Sequence, residues 1–192
     1  MHDLFGSSGG RHRVRGCQPV HPLRISDFEF RIFFGATVFV DANPFIHHFE
    51  PNAVFGPAST EFLEPIENQE SYGVTTTQIL SEVAHRLMTL EAMQAFGWES
   101  AGIALRLRNH PAEVQTLKRV RQAVQEIPLF NVRILTIDPA WLDSAAAVSQ
   151  PTGLLHNDAL SVAAMKVHGL TALASADPDF DRVPGVTRYA PV

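Results

Sequence analysis

The chain has 192 residues, is 45% hydrophobic and carries a net charge of −5. It is long enough for one domain with a sizeable core and too apolar to be largely disordered. No apolar stretch reaches the roughly 20 residues of a membrane span. The start, MHDLFGSSGGRHRVRG, has no apolar secretion core, and the single Cys17 allows neither an internal disulfide nor cysteine-held zinc, so a cytoplasmic protein without a membrane partner is expected. Charge is uneven: residues 1–35 hold five Arg against Asp3, Asp27 and Glu29, a balance of +2, which leaves −7 for residues 36–192. Nucleic-acid binders usually present a basic face. Any such contact here needs a local patch or a cation bridging phosphate to acid.

Residues 1–35 show no periodicity and read as a disordered extension, in which FEFRIFF could add an edge strand. The folded domain is expected over 36–192. It opens with TVFV ending at Asp41, then a helical NPFIHHF with Pro44 in its first turn. GVTTT is a second strand. The helix that follows, Thr77 to about Phe96, sets Ile79, Leu80, Val83, Leu87 and Leu90 on one stripe. Segments 98–109 and 111–126 form a helical pair split by His110-Pro111, and VRILTI at 132–137 is a third strand stopped by Asp138-Pro139. Helices over 139–148 and 156–168, the latter apolar almost all round, precede TALAS at 171–175 and VTRYAPV at the carboxyl end. Such strands, nearly continuous in apolar residues and separated by amphipathic helices, predict an α/β protein with a five-stranded parallel sheet covered on both faces.

Four acids fall where strands meet helices: Asp41 in FVDAN, Glu82 in SEVAHRL, Asp158 in NDALSVAAM and Asp177 in ASADPDF. Each has an ordinary alternative. Asp41 and Asp177 suit helix caps or turns, Glu82 suits an ion pair with Arg86, and Asp158 suits the positive start of a helix. Together they suggest a catalytic divalent-metal site, because gathered carboxylates repel unless protons or cations compensate. Hard oxygen ligands select Mg²⁺ or Mn²⁺. Asp179 competes with Asp177 for the last place, Asn43 and Asn157 flank two of the acids, and Ser175 could bond a ligand water or phosphate.

In order and spacing these motifs resemble the PIN-domain family over about residues 37–192, and within it the VapC-type toxin ribonucleases of bacterial toxin–antitoxin pairs. The resemblance implies a three-layer α/β/α fold and Mg²⁺- or Mn²⁺-dependent endoribonuclease activity. It further implies a homodimer, an RNA substrate and inhibition by a small antitoxin. Asp41, Asp158 and Asp177 would hold metal directly or through water, with Glu82 completing the shell or orienting the attacking water. The acidic body, the long extension and the stretch VFGPASTEFLEPIENQESYG depart from that family.

Other chemistries fit less well. A phosphatase of the haloacid-dehalogenase kind needs an acid where Asn43 stands, a receiver domain needs a basic partner after its last core strand, and no GxxxxGK or GxGxxG follows a strand. A housekeeping RNA- or DNA-processing nuclease of the same fold, and a non-catalytic binding scaffold, are the alternatives. Arg106, Arg108, Lys118, Arg119 and Arg121 supply five of the ten basic residues beyond residue 35, as an RNA contact, a solvated face or a subunit interface. His47, His48 and His85 lie near the acids in sequence and are assigned no role.

Overall fold

The computed structural model describes residues 35–50 and 53–191; the expected extension up to residue 34, with its FEFRIFF strand, lies outside them. Five strands, β1 (Thr37–Val40), β2 (Tyr72–Thr76), β3 (Arg133–Leu135), β4 (Ala172–Ala174) and β5 (Thr187–Tyr189), form one sheet in the order β3-β2-β1-β4-β5. Every neighbouring pair is parallel, as the run of apolar strands and intervening helices predicts. Val38, Phe39 and Val40 of the central strand are each fully buried. A strand covered on both faces cannot alternate polar and apolar residues, hence the unbroken TVFV.

The helices are α1 (Ala42–Phe49), α2 (Gly56–Glu67), α3 (Thr77–Phe96), α4 (Ile103–Asn109), α5 (Pro111–Val114), α6 (Arg119–Glu126), α7 (Pro139–Thr152) and α8 (His156–Val167). One group packs α1 against α2 and α3, with α6 on α3; α7 pairs with α8. The start of α3 is fixed by Thr76, whose Oγ1 accepts from the Ile79 amide at 3.2 Å, and its end by Gly97 at φ 66°. Its expected stripe is the buried one: Ile79, Val83 and Leu87 are in the core and Leu80 and Leu90 pack against it. In α8 every residue from Ala159 to Met165 is buried, which explains its lack of a polar face.

One stretch holds an element the sequence motifs left unassigned, and three others differ from expectation. VFGPASTEFLEPIENQESYG contains α2, which buries Phe62, Leu63 and Ile66. Its two prolines suggest a break, but Pro57 sits in the first turn where no amide is needed, and Pro65 comes only in the last. The pair over 98–109 and 111–126 is three shorter helices. Gly102 at φ 74° delays α4, and the Glu91 carboxylate accepts from the Lys118 and Arg119 amides at 2.9–3.0 Å, ending one run and starting α6. Helix α7 runs past 148 to Thr152, and β3 keeps only three residues of VRILTI. Among the described residues no helix is long and apolar enough to cross a membrane.

Candidate active site

The sheet order reverses direction at β1: the chain moves outward to β2 and β3, then returns to β4 on β1's other side. Crevices outside the carboxyl ends of strands at such a switch point are where open α/β sheets bind ligands. Asp41 follows β1 and Asp177 follows β4, so both stand at this crevice. Register then sets the contacts. Val40 pairs with Ala174, and the Asp41 amide continues the ladder to the Ala174 carbonyl at 3.1 Å. The next residues, Asp41 and Ser175, therefore stand side by side, and Ser175 Oγ donates to Asp41 Oδ2 at 2.6 Å.

Asp41 is 7% exposed and makes no side-chain cap to α1, so the capping alternative is not what its carboxylate does. Asn43 Nδ2 donates to the same Oδ2 at 3.3 Å. Burial raises the Asp41 pKa, the Ser175, Ala42 and Asn43 donors pull it back, and the charge of Asp177 raises it again. A buried carboxylate with donors aimed at it, but no cation among the groups acting on it, is placed to accept a positive ligand.

Glu82 lies one turn and a half into α3, at the same edge of the sheet. It accepts from Gln78 Nε2 at 3.3 Å rather than pairing with Arg86. Partial desolvation of its carboxylate and repulsion from Asp41 raise its pKa, although the residue as a whole is exposed. Asp158, in the first turn of α8, is pushed up to about 6 by burial and then by Asp41, Asp177, Glu82 and Asp179. Asp158 thus feels the charges of the other three, which marks the four acids as one electrostatic cluster.

Asp177 also fills its alternative role. Its Oδ1 accepts from the Asp179 amide at 2.8 Å and caps the short 3-10 helix Pro178–Arg182, while its own amide bonds Ser175 Oγ at 3.1 Å. Asp179 turns its carboxylate to Arg182. Of the two, Asp177 thus faces the cluster more directly, acting on both Asp41 and Asp158. Asn157 is exposed and contributes only its carbonyl, to Ser161 Oγ at 3.4 Å. Among the described residues no three acidic, His or Cys side chains are drawn close enough to hold one ion directly. The set suits a cation bound through one or two carboxylates with water between it and the others, the habit of Mg²⁺.

The basic residues of α4 and α6 do not join the acids. Arg119 Nη1 pairs with Glu50 Oε2 at 2.8 Å, and Arg106, Arg108, Lys118 and Arg121 are exposed. His48 Nδ1 bonds Thr60 Oγ1 at 2.9 Å, and burial lowers the pKa of both His47 and His48. Both line a cleft of about 640 Å³ with α2 residues, away from the strand ends. Two site residues had escaped the sequence reading, Gln78 beside Glu82 and Arg188 behind Ser175. The first was signalled by its i, i+4 spacing to Glu82, the second by one charge within the apolar run VTRYAPV.

Fold and site together define a parallel α/β protein with a carboxylate cluster at its topological switch point. The PIN domain family matches residues 38–186, and the chain belongs to that family of nucleases. Among solved structures it is similar to VapC20 of Mycobacterium tuberculosis, a sarcin-ricin loop cleaving toxin, at 16% identity and a TM-score of 0.52 over 75% of this chain and 92% of that one. It is likewise similar to VapBC2 of Rickettsia felis, solved with a promoter DNA fragment, at 11% identity and a TM-score of 0.52 over 80% of this chain and 98% of that one. At these identities the likeness is one of fold. No curated protein sequence matches the chain.

Proposed function

We propose that the chain is a divalent-metal-dependent endoribonuclease and the toxin of a type II toxin–antitoxin pair. The observation that carries the nuclease chemistry is the convergence of the acids at the switch point: Ser175 ties Asp41 to the Asp177 turn, and Glu82 and Asp158 stand near enough to feel the charge of Asp41. Asp41, Asp158 and Asp177 are the residues that would hold Mg²⁺ or Mn²⁺, directly or through water. When bound, such an ion lowers the pKa of the attacking water and offsets charge on the phosphate. Ser175 and Asn43 keep Asp41 Oδ2 in one orientation. Gln78 steadies Glu82, which completes the set or orients the attacking water.

The toxin reading is supported by the fold shared with VapC20 and VapBC2, and it brings a homodimer, an RNA substrate and a small antitoxin partner. Single-stranded RNA with Mg²⁺ or Mn²⁺ is the assay. Asp41→Asn should lower the cleavage rate at least about a hundredfold, since it removes the best-buried carboxylate while leaving an isosteric acceptor for Ser175. EDTA should stop cleavage in the parent. A variant as fast as the parent, or a rate indifferent to EDTA, defeats the assignment. Growth arrest on expression, relieved by Asp41→Asn and by a short neighbouring reading frame, tests the toxin role separately.

A further inference from the structure

The turn after β4 is held from behind by Arg188, on the edge strand β5. Its Nε and Nη2 donate to Asp181 Oδ1 and Oδ2, each at 2.8 Å, and its Nη1 donates to the Ser175 carbonyl at 3.1 Å. The Arg188 side chain is only 8% exposed, whereas its partner Asp181 is 45% exposed, so the bond to the Ser175 carbonyl is the better shielded of its contacts. Ser175 is thus gripped through its backbone by Arg188, while its hydroxyl grips Asp41 and takes the Asp177 amide. Arg188 also feels the charge of Asp177, whereas no cation acts on Asp41, Glu82 or Asp158 among the described residues. A guanidinium free to swing toward Asp177 would neutralise it and compete with any metal ion. The bidentate pair with Asp181 opposes that swing, because two parallel charge-assisted bonds fix the plane of the fork.

We infer that Arg188 is a positioning residue for the acid cluster: it holds the Ser175–Asp177 turn by the Ser175 carbonyl, while Asp181 keeps its charge from Asp177 and so leaves the acids open to a divalent cation. The second half rests on the metal-dependent reading above; the first does not.

Two measurements decide the two halves. Amide hydrogen exchange on the metal-free protein reports the turn. Arg188→Met should speed exchange at the Asp177 and Asp179 amides by about tenfold or more relative to the α8 core amides, and Arg188→Lys should fall between Met and parent. Unchanged exchange at those two amides overturns the holding role. Calorimetric titration of Mn²⁺ into the RNA-free protein reports the charge. Arg188→Met and Asp181→Asn should each weaken binding by about tenfold, as losses of supporting contacts around a metal site do. Asp181→Asn should add nothing in the Arg188→Met background, because the charge it redirects is gone. Parent-like binding by Asp181→Asn, or additive losses in the double variant, overturns the charge-directing role. If the parent takes up no Mn²⁺, the metal reading and the charge-directing role fall together, and the exchange result still decides the holding role.

Discussion

At the scale of the residue, Asp158 turns crowding into a pH dependence. Burial first, then the charges of Asp41, Asp177, Glu82 and Asp179, lift it from 3.8 to about 6. Between those values the folded chain keeps a proton that the unfolded chain has released. The stability that proton confers is complete below the unfolded value and is lost as pH rises through the folded one. The site is partly open to solvent, so the loss should be roughly 1–2 kcal/mol, well under the full conversion of the shift. Urea unfolding in EDTA should therefore give a lower midpoint at neutral pH than near pH 5, and Asp158→Asn should flatten that difference. Saturating Mn²⁺ should reverse it, since the cation needs the charged form. If parent and Asp158→Asn lose stability equally on going to neutral pH, the cluster does not repel as described.

At the scale of the element, β2 meets Ile66 of α2 closely at Gly73. A Cβ added at Gly73 would meet Ile66 Cγ2 at 2.8 Å and Val132 Cγ2 at 3.1 Å. Ile66 is 1% exposed and has nowhere to move. Gly73→Ala should cost about 1–3 kcal/mol by overpacking, read as a lower denaturant midpoint with the slope unchanged; parent-like stability would show that α2 is not seated on β2 in this way. This is also where the sequence was hardest to read. Strand ends and the acids beside them were legible because TVFV, GVTTT and TALAS are short runs of β-branched and apolar residues that stop where a helix or turn pattern begins. Helix α2 was not, because Gly56, Pro57 and Pro65 mimic loop chemistry and only the packing of Phe62, Leu63 and Ile66 declares the helix. The break between α5 and α6 was hidden for a related reason: Glu91, 27 residues before Lys118, supplies the cap. Arg188 reaches Asp181 and Ser175 across the sheet edge, a pairing no local pattern encodes.

At the scale of the whole molecule, the acids at one end of the sheet are balanced by a separate polar tie elsewhere. Glu50, at the carboxyl end of α1 and 8% exposed, accepts from Gln94 Nε2 of α3 at 2.6 Å and from Arg119 Nη1 of α6 at 2.8 Å. Helix α1 starts at the crevice with Asp41 and runs from it to this tie, so one short helix joins the candidate site to the packing of α3 and α6. Glu50 is buried but Arg119 is 22% exposed and can be solvated when its partner is lost, so Glu50→Ala should cost about 1–2 kcal/mol, less than breaking a fully buried pair. Because residues of both helix groups share one hydrophobic core, the loss should appear as a shift of one cooperative transition. Mn²⁺ affinity under native conditions should stay at the parent value, since Glu50 lies at the far end of α1 from Asp41. Chemical denaturation in a Trp98→Phe background followed by two probes, Trp141 fluorescence on α7 and far-ultraviolet dichroism, checks the first point and calorimetry the second. Separate transitions for the two probes would mean that the α7–α8 pair folds apart from the rest, and weakened Mn²⁺ binding would mean that α1 transmits strain to Asp41.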